Sequence, residues 1–255
     1  DYFITEELPM AHDFQPDIYG VSINDERQFV PGIVLASIIK DAFPSCLVVL
    51  GGNVWSRLIN AFRLPGFVRF FDHCDAIVYS EGFQPFKEFA VTLNPSAASG
   101  TVWKSNSEIV INPPTDNPVD YETLVTPAFD GGARQWSPHN VYPFYTSSNC
   151  SMACGFCAIA AGSDTFLKRP RTMSAKRILN HAVALGARRL DFLNEFLTIR
   201  EQIAIGEEAR RIGYPVTWQC YTTVNDALLD QKICAKLYEA GCRAVSRCDG
   251  WPGRA

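Results

Sequence analysis

Basic charge, long apolar runs and nucleotide-binding glycine motifs are what this sequence lacks. Lysine and arginine number 23 against 27 aspartates and glutamates, a formal net charge of −4, so nothing attracts nucleic acid. The nearest basic run, Lys168-Arg169-Pro170-Arg171, is too short to form such a surface. No apolar stretch approaches the roughly 18–20 residues of a helical membrane span. The opening Asp1-Tyr2-Phe3-Ile4-Thr5-Glu6-Glu7 has neither the basic region nor the apolar core of a signal peptide. It also has no initiator methionine, so the natural N-terminus is expected upstream. No GxGxxG occurs, which excludes the usual dinucleotide fingerprint. What remains is the composition of an ordinary globular protein, 47% hydrophobic and 20% charged. The length of 255 residues allows two modest domains or one large one.

Cysteine is abundant. There are nine, an odd count that argues against a complete disulfide framework and for a reducing compartment, the cytoplasm. Cys46, Cys74, Cys220, Cys234, Cys242 and Cys248 are scattered and read as small buried hydrophobes. The other three fall within eight residues and need a different explanation.

Strand and helix patterns alternate through the first third. Asp17 to Ile23 reads as a buried strand, and Pro31 to Phe43 as a helix behind a starting proline. Cys46 to Gly52 is a continuous apolar run of the kind a central parallel strand needs. A helix over Val54–Phe62, a strand over Ala76–Gly82 and a helix over Phe83–Leu93 follow. This repetition predicts an α/β fold with a doubly wound, Rossmann-like sheet. Gly51, Gly52, Glu81 and Gly82 would then sit at the carboxyl ends of strands, where such sheets bind ligands. Between Asn94 and His139, Pro, Ser, Asn, Asp and Thr accumulate, and Glu108–Asn112 is expected to pair as a small hairpin within a linker. Alternation then resumes with strands over Val141–Ser147, Arg189–Leu193, Pro215–Tyr221 and Arg243–Ser246. Helices are expected over Ser174–Leu185, Ile199–Ile212 and Leu228–Ala240. The period of about 28 residues is near that of a β/α barrel. Residues 158–255 leave room for three units and a stub, so the barrel is expected to be truncated, with only its first half in this chain.

The three clustered cysteines, in Cys150-Ser-Met-Ala-Cys154-Gly-Phe-Cys157, have the spacing C-x3-C-x2-C. Three thiolates on one loop can hold three irons of a cubane cluster, leaving the fourth open to a substrate. Gly155 lets the loop approach the metal closely, and Phe156 can shield it from water. A structural zinc site would need a fourth ligand from His139, His181 or a distant cysteine, at no usual spacing. A Cys154/Cys157 redox pair would leave Cys150 idle.

This motif resembles the signature of the radical S-adenosylmethionine superfamily, in which an aromatic such as Phe156 before the last cysteine is also typical. The resemblance implies that Cys150, Cys154 and Cys157 bind a 4Fe–4S cluster whose open iron chelates S-adenosylmethionine. Reduction would cleave that cofactor to methionine and a 5′-deoxyadenosyl radical, which abstracts hydrogen from the substrate. In Leu190-Asp-Phe-Leu-Asn-Glu195, Glu195 matches the acidic residue that meets the cofactor's amine, a solvated loop carboxylate being the alternative. Ala240-Gly-Cys-Arg-Ala-Val-Ser246 resembles the family's fourth strand, but the Gly-x-Glu-Ser expected next is absent.

The first third resembles the cobalamin-binding domain of one subgroup, through Pro16–Ser22, Leu47–Gly52 and Cys74–Gly82. There Ser22, Gly51, Gly52, Glu81 and Gly82 would line the corrinoid. No Asp-x-His-x-x-Gly is present, so no lower-axial histidine is evident, and the strands expected before Asp17 are reduced to Tyr2-Phe-Ile4. The implied organisation is a cobalamin-type domain over 1–95, a linker over 96–139 and the first half of a TIM-like barrel over 140–255. The implied activity is cobalamin-dependent methyl transfer in natural-product or modified-peptide biosynthesis. It would act on a small-molecule or peptide substrate, with flavodoxin or ferredoxin as electron donor and no nucleic-acid or membrane partner. A cobalamin-independent radical oxidation or rearrangement, and an inactive cluster-binding fragment, are the alternatives. Trp218, Tyr221 and Arg134 are candidates to face the substrate, with core packing the alternative for the aromatics.

Overall fold

The computed structural model describes residues 2–116, 118–129, 141–148, 150, 157, 171–223 and 226–248. The chain divides into two compact units, Asp1–Val119 and Asp120–Ala255.

The first unit opens with a wide helical turn, Phe3–Glu7, and helix α1, Leu8–Phe14, so the segment read as a vestigial strand is helical. Strand β1 (Ile18–Ser22) is followed by α2 (Phe29–Ala42), β2 (Leu47–Gly51) and a short α3 (Val54–Arg57). Then come β3 (Ala76–Val78), α4 (Phe83–Thr92), β4 (Thr101–Ser105) and β5 (Glu108–Ile111). The sheet order is β1-β2-β3-β4-β5, the first three parallel and the last two antiparallel. Residues 101–111, read from composition as linker, are therefore two strands of the first sheet. Proline and asparagine gather around the hairpin because its ends need turns: Asn112 Nδ2 donates to the carbonyls of Pro95 (3.1 Å) and Ala98 (2.9 Å).

Strand register assigns the two faces. Ile18, Leu47, Val49, Ala76 and Val78 share one face with Phe89 of α4. Val21, Leu50 and Ile77 are buried on the other. Two-sided burial explains the continuous apolar run at Leu47–Leu50. The doubly wound arrangement expected from it is not observed: the strands lie in chain order, with no reversal, among the described residues. Helix α4, on the face with Val49 and Ala76, leads into an antiparallel hairpin and not into another parallel strand. Between β2 and β3 the helix expected over Val54–Phe62 shortens to α3, followed by two 3₁₀ helices, Ala61–Arg63 and Pro65–Asp72. Trp55, Phe62, Phe67 and Phe71 are buried there, and edge-to-face contacts such as Phe62–Phe67 (5.0 Å) hold the segment.

The second unit contains β6 (Val141–Phe144), α5 (Ala175–Leu185), β7 (Arg189–Phe192), α6 (Ile199–Arg211), β8 (Thr217–Thr223), α7 (Gln231–Ala240) and β9 (Cys242–Cys248). All four strands are parallel, in the order β6-β7-β8-β9. Helix α5 is capped at both ends: Ser174 accepts from Arg177 N, and Gly186 ends it in the left-handed conformation. Thr198 and Glu201 make a reciprocal capping box at the start of α6. The helices pack along one face over Phe144, Leu190, Phe192, Trp218 and Cys220. Helices α6 and α7 meet closely, since a Cβ on Gly206 would lie 2.3 Å from that of Ala240. The opposite face, which carries Pro143, Arg189, Gln219 and Tyr221, is exposed.

One histidine is enclosed in this unit. His181 on α5 is 2% exposed, and neither ring nitrogen finds a hydrogen-bond partner among the described residues. Burial, then the charge of Arg177, lowers its pKa against the opposing pull of Glu122, so the folded state favours the neutral ring. Its contribution to stability is therefore complete above the unfolded pKa of about 6.5 and is lost as pH falls below that. Urea midpoints measured from pH 8 to 5 should fall with pH in the parent chain and fall less in His181→Leu. Parallel pH profiles would refute the assignment.

Candidate functional site

The second sheet ends in a buried polar cluster that its apolar core does not require. Beyond β6 the chain buries Thr146, Ser147 and Ser148 in succession, and beyond β7 it buries Asn194, only 1% exposed. Asn194 Oδ1 accepts from both the backbone N–H and the hydroxyl of Thr146, each at 3.1 Å. Its Nδ2 donates to Ser147 Oγ. The Leu193 N–H donates to the Phe144 carbonyl at 2.8 Å, continuing the β6–β7 ladder beyond the strands.

A second tie comes from residues 171–173. Ser147 and Thr172 form an antiparallel bridge. Ser148 N donates to Arg171 O (2.8 Å), Arg171 N to Ser148 Oγ (3.0 Å), and Met173 N to Thr146 O (2.8 Å). Residues 146–148 and 171–173, which flank the segment bearing the three cysteines in sequence, are thus joined in one hydrogen-bonded stem. Glu122 reaches the next residue, its carboxylate accepting from the Ser174 hydroxyl at 2.9 Å.

Cys150 lies two residues past this stem, half-buried, and Cys157 is half-buried as well. Cys154 and Phe156 fall outside the described residues, as does Arg134. Glu195 follows Asn194 in the loop between β7 and α6 and is half-buried. A cluster bound by cysteine needs thiolates on a fixed loop. Of that donor set the structure describes Cys150 and Cys157, and both thiols are half-buried and not enclosed in the core. Sequence reasoning missed Thr146, Ser147, Ser148 and Asn194. The available signal was a run of polar residues continuing straight out of an apolar strand.

At the carboxyl ends of the first sheet, register pairs Ser22 with Gly51. Asn24 Nδ2 donates to Ser22 Oγ (3.0 Å), and the Asn53 N–H donates to Asn24 Oδ1 (3.0 Å), tying the β1 and β2 loops together. Ser22, Gly51 and Gly52 are thus brought to one end of adjacent strands. Glu81 and Gly82 follow the third strand, with Gly82 at the start of α4. Asn24 was missed, because nothing local marks an asparagine that bridges two loops.

No family model matches the chain, and no curated protein matches it in sequence. Several solved chains match it in three dimensions, two of them as follows. One is the cobalamin-dependent S-adenosylmethionine radical enzyme OxsB with aqua-cobalamin bound, similar over 95% of this chain at a TM-score of 0.70 and 18% identity. The other is the radical S-adenosylmethionine methyltransferase TsrM from Kitasatospora setae, with cobalamin and a 4Fe–4S cluster bound. It is similar over 97% of this chain at a TM-score of 0.68 and 16% identity. The chain shares their fold. It spans 37% and 52% of their lengths, respectively.

Within this shared fold the remaining candidates separate. Trp218 is buried among the helices, edge-on to Phe192 at 6.3 Å, so packing accounts for it. Tyr221 is 45% exposed on the opposite face of the sheet. Cys46, Cys74, Cys220 and Cys242 are buried as small hydrophobes, whereas Cys234 is exposed. The Cys220 thiol is hydrogen-bonded to Cys242, and that bond together with burial pushes it up and keeps it inert. No helix is long and apolar enough to cross a membrane among the described residues.

Proposed function

We propose that the chain belongs to a radical S-adenosylmethionine enzyme, with a cobalamin-type unit over residues 1–119 and a cluster-binding unit over 120–255. Cys150, Cys154 and Cys157 would be the cluster ligands and Glu195 the partner of the S-adenosylmethionine amine. Ser22, Gly51, Gly52, Glu81 and Gly82 would form the corrinoid-facing rim. When bound, the cluster supplies an electron at low potential to the sulfonium of S-adenosylmethionine. The observation that carries this reading is the stem flanking the C-x3-C-x2-C segment, in which Thr146–Ser148, buried together with Asn194, bond both to that residue and to residues 171–173. A surface loop needs no such foundation, whereas a metal site needs its ligands pre-positioned by partners behind them. With the corrinoid present, methyl transfer to a small-molecule or peptide substrate is the reaction that this pairing of cofactors favours.

The test is anaerobic reconstitution with iron and sulfide, followed by S-adenosylmethionine and dithionite. Formation of 5′-deoxyadenosine is the expected result, and iron uptake without it would reduce the chain to a cluster-binding fragment. Incubation with hydroxocobalamin should give stoichiometric corrinoid absorbance on the re-isolated protein. A colourless protein in that experiment would leave a radical oxidation or rearrangement instead of methyl transfer.

A further inference from the structure

The four buried polar side chains at the end of the second sheet form one device. Asn194 meets three donor or acceptor groups on two successive residues, Thr146 N–H, Thr146 Oγ1 and Ser147 Oγ, and all three residues are at least nine-tenths buried. Thr146 is the node. Its N–H donates to Asn194, while its carbonyl accepts from Met173 at 2.8 Å, so Asn194 and the second strand of the stem are both held through one residue. Buried polar groups are retained when paired, and the pairing fixes a single arrangement. Asn194 is adjacent in sequence to Glu195, so the same contact fixes the backbone that carries the candidate amine-binding carboxylate.

We propose that Asn194 is a positioning residue that locks the base of the cysteine segment, through Thr146 and Ser147, in fixed register with Glu195. This rests on the cluster-binding reading above and adds to it the residue that transmits geometry from β7 to the cysteine ligands. Asparagine suits the task because its amide both accepts and donates. Aspartate could replace it, since the Thr146 N–H, the Thr146 hydroxyl and the Ser147 hydroxyl can all donate to a carboxylate. Alanine leaves the Thr146 amide without a partner.

Two readouts on the full chain test the role. In the iron-free protein, hydrogen exchange across residues 144–148 should accelerate at least about tenfold in Asn194→Ala and return near the parent rate in Asn194→Asp. In the reconstituted protein, Asn194→Ala should lose iron to a competing chelator about 10–100-fold faster, the range for loss of a partner that orients a metal ligand. Leu237→Ala, which opens the core at α7, controls for general destabilisation and should leave both readouts unchanged below its unfolding transition. Should Asn194→Ala not fold, Thr146→Val removes only the hydroxyl and should give a smaller change in the same direction. Fast exchange with parent-like iron retention would make Asn194 merely structural and overturn the proposal. Parent-like exchange would overturn it as well. Failure of the parent to take up iron, with exchange unaffected, would defeat the cluster reading itself and the role built on it.

Discussion

Replacing either Cys150 or Cys157 with alanine is expected to take bound iron from about four per chain to less than about one after anaerobic reconstitution. The magnitude follows from coordination chemistry. Three thiolates are the minimum that leaves only one iron open. Two would leave half of the cubane exposed to solvent and chelator. 5′-Deoxyadenosine formation should fall at least about a hundredfold, the upper end of what losing even an outer partner costs a metal site. Cys234→Ser is the matched control: its thiol is exposed and donates only locally, to the Leu228 carbonyl at 3.3 Å. Iron content and visible absorbance of the three proteins decide the matter. If Cys150→Ala retained the parent's iron, the ligand assignment would be wrong.

The second large effect is expected in the first unit, at Gly52. Its φ is +100°, and a Cβ there would lie 2.4 Å from the Ile23 carbonyl oxygen and 2.6 Å from Ile23 N. Unfavourable backbone conformation costs roughly 1–3 kcal/mol, and forcing an atom into packed backbone adds about 1–3 kcal/mol. Gly52→Ala should therefore lose a large part of the unit's stability, read from the urea midpoint by the fluorescence of buried Trp55. Gly82 behaves differently. Nothing lies within 4 Å of an added Cβ and its φ is −75°, so Gly82→Ala should shift stability by less than about 0.5 kcal/mol. The pair separates fold from ligand. A methyl at Gly82 should weaken hydroxocobalamin binding severalfold in a fully folded protein. An unchanged dissociation constant would remove Gly82 from the proposed rim, and an unchanged urea midpoint for Gly52→Ala would refute the backbone argument.

Much of this architecture is legible because its signals are local. Continuous apolar runs at Leu47–Leu50, the Ser174 cap, the Gly186 stop and the Thr198–Glu201 box depend on near neighbours in sequence, and each appears where its residue types demand. The errors arose where partners are distant. Thr101–Ser105 and Glu108–Ile111 sit in a polar, proline-rich stretch, and only the pairing of β4 with β3, and of β5 with β4, makes them strands of the first sheet. Sheet order depends on which edge a returning chain selects. The alternating pattern alone does not separate a doubly wound sheet from one running in chain order.

The candidate site divides along the same line. The sequence by itself determined the C-x3-C-x2-C spacing that makes these cysteines the candidate donor set, since spacing within one loop is a property of consecutive residues. It also placed Gly51 and Gly52 at a strand end, because strand and turn residues follow one another along the chain. Only the tertiary structure decided that Asn194 holds Thr146 and Ser147, 48 and 47 residues away in sequence respectively, and that Asn24 bridges the β1 and β2 loops. Such contacts exist only once parallel strands have been brought side by side. A hydrogen bond between two loops leaves no periodicity in either.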